Sequence, residues 1–169
     1  MPDTRTIHFI RHAKSSWDFP TLADIDRPLN KRGLKTAPAM AEHIINYCPL
    51  THVYCSPAAR AQATIELIAK ALPQKCIEWK TDETLYTFSS ATLISWCQQI
   101  DTALNEVIIV GHNPAITDAV NLLSGANIDN VPTCGYVKMS TSKEIDWHSI
   151  AKGDFEIDCF LTPKKVLQR

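Results

Sequence analysis

The sequence lacks the features that mark membrane, secreted and nucleic-acid-binding proteins. No apolar run approaches the roughly 18 residues of a membrane span, and the first residues hold no apolar stretch of signal-peptide length. The 17 Lys and Arg residues are balanced by 18 Asp and Glu residues, so the overall positive field that attracts nucleic acid is missing. Internal repeats and low-complexity tracts are absent as well. We therefore expect a cytoplasmic protein, folded as one domain over residues 1–169, with no membrane or nucleic-acid partner.

Cysteine pairs with metal-binding spacing are also missing. The six cysteines are widely scattered and form no C-x-x-C pair. In a chain without a secretion signal, buried reduced thiols are the expected state, and a zinc site is disfavoured. We expect neither a metal nor any other cofactor. The sequence leaves the oligomeric state open, with a monomer favoured.

Short apolar runs rich in β-forming residues alternate with longer segments of helical period. The runs predict strands at residues 6–10, 52–55, 76–79, 106–110, 136–140, 144–147 and 156–161. The periodic segments predict helices at residues 31–47, 57–72, 92–100 and 114–123. This alternation favours an α/β fold, a three-layer α/β/α sandwich whose mostly parallel sheet ends in an antiparallel portion.

Capping residues support two of these helices. Asn30 is a plausible N-cap for the first helix, although Pro38 falls inside its pattern and should kink the helix or mark a late start. Ser56 is the expected cap of the second helix, with Pro57 at the first helical position, where proline is tolerated. Gly125 is expected to end the helix that begins near residue 114.

Polar side chains follow the ends of the predicted strands. Arg11 and His12 come directly after the first strand, and His112 follows the strand at residues 106–110. Arg60 lies in the first turn of the helix after the second strand. Ligands of open α/β sheets bind outside the carboxyl ends of the strands, so two arginines and two histidines would converge on a small anion such as phosphate. Each piece alone also fits a structural role, and the argument depends on their combination.

Four segments carry a resemblance to a known family. They are IRHAKS at residues 10–15, DRPLNKRG at 26–33, SPAARAQAT at 56–64 and GHNP at 111–114. In this order and spacing, over about residues 6–135, the chain resembles the histidine phosphatase (phosphoglycerate-mutase-like) superfamily and its small SixA-type phosphohistidine phosphatases. The resemblance implies the histidine-phosphatase fold with a minimal lid.

The resemblance also implies roles for the polar residues. His12 is similar to the family's nucleophile, which takes the phosphoryl group, and Arg11, Arg60 and His112 resemble the remainder of the phosphate pocket. The chemistry of these side chains supports the assignments. Histidine attacks phosphorus only as neutral imidazole, and the positive charge of nearby arginines lowers its pKa and so favours that form. The guanidinium groups match the equatorial oxygens of the transferring phosphoryl group. Water would then hydrolyse the phosphohistidine intermediate without a metal.

One residue departs from the family pattern, and the role of another stays open. Ala13 stands where the family often has glycine, which narrows the freedom of the backbone near the ligand. Arg27 either reaches the phosphate pocket or forms a structural ion pair with Asp24 or Asp26.

The general acid is the least defined role. Glu83 is the best positional match to the carboxylate that protonates the leaving oxygen in larger members of the superfamily, and Asp18, in the loop after the first strand, is the second candidate. A solvated loop carboxylate is the alternative for Glu83. A phosphohistidine substrate relaxes the requirement, because the protonated ring leaves as neutral imidazole.

Chain length bears on the substrate. Residues 72–106 hold little more than a strand, a loop and a short helix, so the lid that larger members insert here is absent. We therefore expect an open pocket that admits phosphohistidine on a signalling or phosphotransfer protein. The alternatives are a hydrolase of small phosphate monoesters or sugar phosphates, and a non-catalytic phosphate-binding module.

Overall fold

The computed structural model describes residues 3–167 and places six strands and five helices within them. The strands are β1 (Thr6–Arg11), β2 (Val53–Cys55), β3 (Trp79–Thr81), β4 (Glu106–Gly111), β5 (Tyr136–Thr141) and β6 (Phe155–Leu161). The helices are α1 (Lys31–Ile44), α2 (Ala59–Ala71), α3 (Ser90–Gln98), α4 (Ala115–Ser124) and the short α5 (Pro163–Val166). None of the helices within residues 3–167 has the length and apolar character that a membrane crossing requires.

The strands form one sheet in the order β3-β2-β4-β1-β5-β6. The pairs β2–β3, β2–β4 and β1–β4 are parallel, and β5 runs antiparallel to both of its neighbours. The predicted α/β sandwich with a mostly parallel sheet and an antiparallel end is confirmed. Because β1 and β4 lie side by side in the same direction, their carboxyl ends open at one edge.

The two central strands are buried on both faces, which explains their continuous apolar runs. In β1, Ile7 and Phe9 pack with α3 and α4, whereas Ile10 packs with α1 and α2. Val107 and Ile108 of β4 divide between the same two faces. Each of these five side chains is fully buried, and complete burial of such a side chain contributes about 1.5–3 kcal/mol. The two helical layers are thereby fixed against the strands that carry the polar residues.

Several predicted elements need correction. Residues 144–147 are not a strand, because the chain turns there into a 3-10 helix, Trp147–Ser149, and buries the Trp147 ring with its Nε1 donating to Leu104 O at 2.6 Å. The third strand begins at Trp79 rather than at residue 76, since Cys76 adopts a left-handed conformation with φ of 49° that no strand accepts. Helix α1 ends at Ile44, three residues early.

The predicted caps are correct for one helix and wrong for the other. Asn30 caps α1, and its Oδ1 accepts from Gly33 N at 2.9 Å. Pro38 lies inside α1, as expected from the sequence. Ser56 does not cap α2, because that helix begins only at Ala59 and places Pro57 outside it. The end of α4 at Gly125, which has φ of 73°, is confirmed.

The six cysteines, all within the described residues, are unpaired. This agrees with the predicted reduced state. Burial raises the pKa of the Cys55 and Cys97 thiols to about 12, so these thiols are inert at neutral pH.

Gly33 brings the start of α1 against the backbone that follows His12. A Cβ at position 33 would collide with the carbonyl oxygen of Lys14, which is backbone and cannot rotate away. We predict that Gly33→Ala lowers the free energy of unfolding by about 2 kcal/mol, as overpacking does, despite the better helix propensity of alanine. Urea denaturation measures this change.

Gly111→Ala is the matched control for this prediction. A Cβ there would meet Ile116 Cδ1 at 3.9 Å and Leu85 O at 4.0 Å, which are ordinary contacts. An equal loss of stability in both variants would show that the Lys14 contact is not the cause.

Candidate active site

The pairing of β1 with β4 brings two of the predicted site residues together. Arg11 is in register with Gly111, and His12 N donates to Gly111 O at 3.1 Å. The next residue on each strand is therefore a histidine, and the ring centroids of His12 and His112 lie 5.2 Å apart. Their proximity follows from strand register, which the sequence alone does not state.

The His12 ring is held in one orientation. Its Nδ1 lies 2.7 Å from the carbonyl oxygen of Ala13, and because a carbonyl only accepts, Nδ1 carries the proton. The second nitrogen, Nε2, therefore keeps its lone pair. Burial lowers the pKa of His12 to about 4, with further lowering from Arg60, Arg11 and Arg27. His12 is thus a neutral, oriented imidazole at pH 7.

The backbone around His12 is anchored from two sides. Cys134 N donates to the carbonyls of both Arg11 and His12 at 3.0 Å. Ala13 N donates to Oγ1 of the buried Thr64, whose hydroxyl donates to Arg60 O at 2.7 Å. Helix α2 is thereby tied to the residue after His12. Thr64 was part of the family motif, but nothing in its residue type indicated this contact.

Asp24 holds Arg60 in place. Arg60 is 2% exposed, and its guanidinium donates to Asp24 O at 2.7 Å and to Asp24 Oδ2 at 2.9 Å. Tyr86 Oη also donates to Oδ2, at 2.5 Å, and Arg27 Nε donates to Oδ1 at 3.1 Å. Burial would raise the pKa of Asp24, but these hydrogen bonds hold it well below its usual range. Asp24 is therefore a fixed anion that orients cations.

Arg27 forms the predicted ion pair with Asp24, and its charge also acts on His12. Besides Asp24, its guanidinium donates to Ser15 Oγ at 2.8 Å and stacks on the Trp17 ring at 3.7 Å from the centroid. Its charge contributes to the lowered pKa of His12. The predicted partner Asp24 is thus correct, and Asp26 is not involved in the ion pairs of residues 3–167.

His112 has a polar partner on one side and aromatic rings on another. Its Nε2 lies 2.7 Å from Ser56 Oγ, and that oxygen accepts from Ala58 N. When the Ser56 hydroxyl donates to Nε2, the one proton of the neutral ring is on Nδ1. The rings of Tyr86 and Phe88 lie 5.5 and 5.4 Å from the His112 ring. Burial lowers the pKa of His112 to about 3, with help from His12 and Arg60. The serine read from sequence as a helix cap instead contacts this histidine.

Three buried polar atoms lack hydrogen-bond partners within residues 3–167, and all three belong to predicted pocket residues. They are Nε of Arg11, Nε of Arg60 and Nδ1 of His112. A buried donor left unsatisfied costs about 1–3 kcal/mol, so native proteins keep few of them. The charges of Arg11 and Arg60 act on each other and on both histidines. An oxyanion would satisfy these groups and offset their repulsion.

The two candidate acids are both exposed. Glu83 begins the 3-10 turn Glu83–Leu85, and its exposed carboxylate makes no hydrogen bond or ion pair with the residues described. Asp18 is exposed in the loop after β1. The role of either carboxylate as general acid stays a prediction.

His8, four residues before His12, stays away from the site. Its Nδ1 lies 2.6 Å from Tyr136 Oη and its Nε2 lies 2.5 Å from Glu106 Oε2. The spacing matches a metal-binding pair on a helix, but on β1 it places His8 within the sheet and His12 beyond its end. His8 therefore belongs to a buried structural network.

The low pKa of His12 leads to a prediction. Its folded pKa of about 4 lies below the ordinary 6.5, so between these values the unfolded chain binds a proton that the folded chain does not. Above about pH 6.5 His12 is neutral in both states, so the folded protein has its full stability there. As the pH falls toward 4, protonation of His12 in the unfolded chain lowers the free energy of unfolding. We expect the His12 imidazole signals in an NMR titration to stay constant from pH 8 to about 5.

The His12→Asn variant assigns the His12 signals by their disappearance. A midpoint near the ordinary histidine value for those signals would contradict the buried, cationic surroundings described above.

Comparison with known proteins agrees with this geometry. The model of the histidine phosphatase superfamily (branch 1) matches residues 7–89, a range that contains Arg11, His12 and Arg60. Residues 7–89 therefore match the histidine phosphatase superfamily in sequence. An uncharacterized protein of Mycobacterium leprae is 27% identical over 168 residues, which cover 92% of this chain and 100% of that protein. This match supports phosphatase activity.

Solved structures share the fold of this chain. The protein histidine phosphatase SixA complexed with tungstate has a TM-score of 0.74 and 19% identity, over 95% of this chain and 99% of that one. A mycobacterial glucosyl-3-phosphoglycerate phosphatase has a TM-score of 0.66 and 14% identity, over 92% and 98%. At these identities the similarity establishes the fold, and the two names show that the fold accompanies different substrates.

Proposed function

We propose that this protein hydrolyses phosphohistidine on a protein substrate through a phosphorylated His12, without a metal. The observation that carries the proposal is the set of three unpartnered buried groups, on Arg11, Arg60 and His112, beside a neutral His12 whose proton is held on Nδ1. These groups provide a site for a phosphoryl group and a nucleophile of the correct tautomer. SixA complexed with tungstate, a phosphate-like oxyanion, supports the comparison at the level of the fold.

The first step transfers the phosphoryl group to His12. Nε2 of His12 forms a bond to phosphorus while the bond from phosphorus to the substrate nitrogen breaks. The bonding pair goes to the substrate ring, which leaves as neutral imidazole because its other nitrogen is already protonated. Charge on the equatorial oxygens is stabilised by Arg11 and Arg60, and His112 donates a further hydrogen bond.

The second step returns the enzyme to its starting state. Water attacks phosphorus, the bond to Nε2 breaks, and inorganic phosphate leaves. The Ala13 carbonyl keeps the proton on Nδ1 throughout, so His12 is restored as the same neutral tautomer. No carboxylate is needed to protonate the leaving group, which fits the exposed position of Glu83.

The surroundings of the pocket favour a large substrate. Between Ala71 at the end of α2 and Glu106 at the start of β4, the chain forms β3, two 3-10 turns and the nine-residue α3. Trp17 is 74% exposed on the Arg27 side, and Phe88 is 44% exposed on the His112 side. Exposed aromatic side chains beside a polar site are typical of surfaces that contact other proteins.

Comparison of substrates tests the proposal. Catalytic efficiency is measured on a phosphohistidine peptide, on an aryl phosphate and on a sugar phosphate, with the same enzyme preparation. We expect kcat/KM to be highest on the phosphohistidine peptide. Equal or greater efficiency on the sugar phosphate would instead support a small-ester hydrolase, and absence of turnover on all three would support a binding module.

The metal-independent chemistry leads to a second prediction. The positive charge for phosphoryl transfer is supplied by guanidinium groups that lie next to His12. We therefore expect full activity after dialysis against a strong chelator, measured as phosphate release from the phosphohistidine peptide. Activity that is lost in chelator and restored by Mg²⁺ would contradict the mechanism. Vanadate or tungstate should inhibit competitively, because each oxyanion would occupy the Arg11 and Arg60 donors.

A further inference from the structure

We infer that a basic cleft beside the active site docks an acidic segment of the phosphorylated protein substrate, an inference that rests on the proposed function. The cleft lies between the first turns of α1 and the C-terminal helix α5. Its larger part encloses about 340 Å³. We define the basic cleft by six residues that line it: Lys14, Arg32, Lys35, Thr36, Pro163 and Lys164.

The charge of this cleft is of one sign. Of the nine residues that line it, which also include Pro132, Thr133 and Leu167, four are Lys or Arg and none is acidic. All four cationic side chains are exposed, and none takes part in an ion pair with residues 3–167. By contrast, Lys70 pairs with Glu66 at 3.2 Å and Lys143 with Asp154 at 3.6 Å. Since the chain has a net charge of only -1, this concentration of positive charge is local.

The cleft adjoins the site of phosphoryl transfer. Lys14 follows His12 by two residues, a span of at most about 7 Å along the chain. The Lys14 carbonyl accepts from Asn30 N at 3.0 Å, which fixes the start of α1 against this segment. On the other side, Pro132 and Thr133 line the cleft directly before Cys134, whose N–H binds the Arg11 and His12 carbonyls. When the phosphohistidine of a substrate protein is bound at His12, the neighbouring acidic residues of that protein would therefore reach the cleft.

A protein segment fits this surface better than a second small anion. The cations are spread along α1 and α5 on exposed side chains, and no buried group among the residues that define the cleft would clamp one phosphate. Mobile, solvated cations in an open cleft steer a flexible acidic chain and raise its association rate. The acidic residues would belong to the substrate protein beside its phosphohistidine.

A pair of synthetic phosphohistidine peptides tests the inference. One carries a run of glutamates beside the phosphohistidine, and the other carries glutamines at the same positions. For wild type we expect kcat/KM on the glutamate peptide to exceed that on the glutamine peptide by roughly tenfold at low salt, through KM rather than kcat. The difference should shrink as salt screens the cleft.

A triple variant, Arg32→Gln, Lys35→Gln and Lys164→Gln, should abolish this preference and leave turnover of an aryl phosphate unchanged. Lys14 is left intact because its backbone is next to His12. The matched control replaces three exposed lysines outside the cleft, Lys70, Lys75 and Lys152, with glutamine. The control should keep the wild-type preference.

The outcomes separate this inference from the proposed function. If wild type turns over both peptides equally, or if the triple variant keeps the preference, the docking cleft is wrong while the phosphohistidine phosphatase stands. An equal loss on the aryl phosphate would show that the cleft residues support the phosphate pocket, which also overturns docking. Failure of wild type on every phosphohistidine peptide would overturn the proposed function itself.

Discussion

Replacement of His12 by asparagine is expected to lower turnover of a phosphohistidine peptide by at least about 10⁴-fold, the scale on which enzymes lose activity with their nucleophile. The asparagine amide can donate to the Ala13 carbonyl in place of Nδ1, so the fold around residue 12 should be retained. It has no nitrogen lone pair with which to attack phosphorus. Phosphate release under single-turnover conditions measures the loss directly.

Two controls make this result specific. His148→Asn changes an exposed histidine in the turn Trp147–Ser149 and should leave turnover unchanged. Tungstate should still bind the His12→Asn variant, because Arg11 and Arg60 remain. A His12→Asn variant that is folded and retains more than about a tenth of the activity would rule out covalent transfer through His12.

Replacement of Arg60 is expected to have the second largest effect. Arg60→Ala should lower kcat by about 10³-fold, since a guanidinium on a transferring phosphoryl group contributes roughly 10³–10⁵. Arg60→Lys keeps the charge but loses the planar fork held by Asp24, so it should restore only part of kcat. Steady-state kinetics on the phosphohistidine peptide, with tungstate inhibition as a binding measurement, checks both variants.

Asp24→Asn separates positioning from direct contact. It keeps the Arg60 guanidinium but removes the anion that also binds Arg27 and Tyr86. We expect a smaller loss of kcat than in Arg60→Ala, together with weaker tungstate binding. A loss in Asp24→Asn that equals or exceeds that in Arg60→Ala would contradict the assignment of phosphate contact to Arg60.

Part of this site was predictable from the sequence because strands have defined ends. Arg11, His12 and His112 directly follow apolar runs, and parallel strands place such positions at one edge of a sheet. The 5.2 Å separation of the two rings was not predictable, because it depends on the β1–β4 register. The roles of these residues stay predictions until the variants are measured.

The residues that orient the site were harder to predict from the sequence than those that follow the strands. Asp24 was foreseen only as a partner of Arg27, because its contacts with Arg60 and Tyr86 join residues separated by 36 and 62 positions. Ser56 followed by proline is a typical start of a helix, and that pattern concealed its contact with His112. Tertiary packing decided both cases. Packing also explains the wrong strand at residues 144–147, where the chain forms a 3-10 helix that buries the Trp147 ring.

The most direct test of a covalent phosphohistidine mechanism is rapid-quench trapping of the enzyme itself. The protein is mixed with a peptide carrying radiolabelled phosphohistidine and quenched within milliseconds, and label on the enzyme is tested in alkali and in acid. We predict label that survives alkali and is lost in acid, located on His12 in wild type and absent from His12→Asn. Rapid phosphate release without label on His12, or label on another residue, would contradict the account.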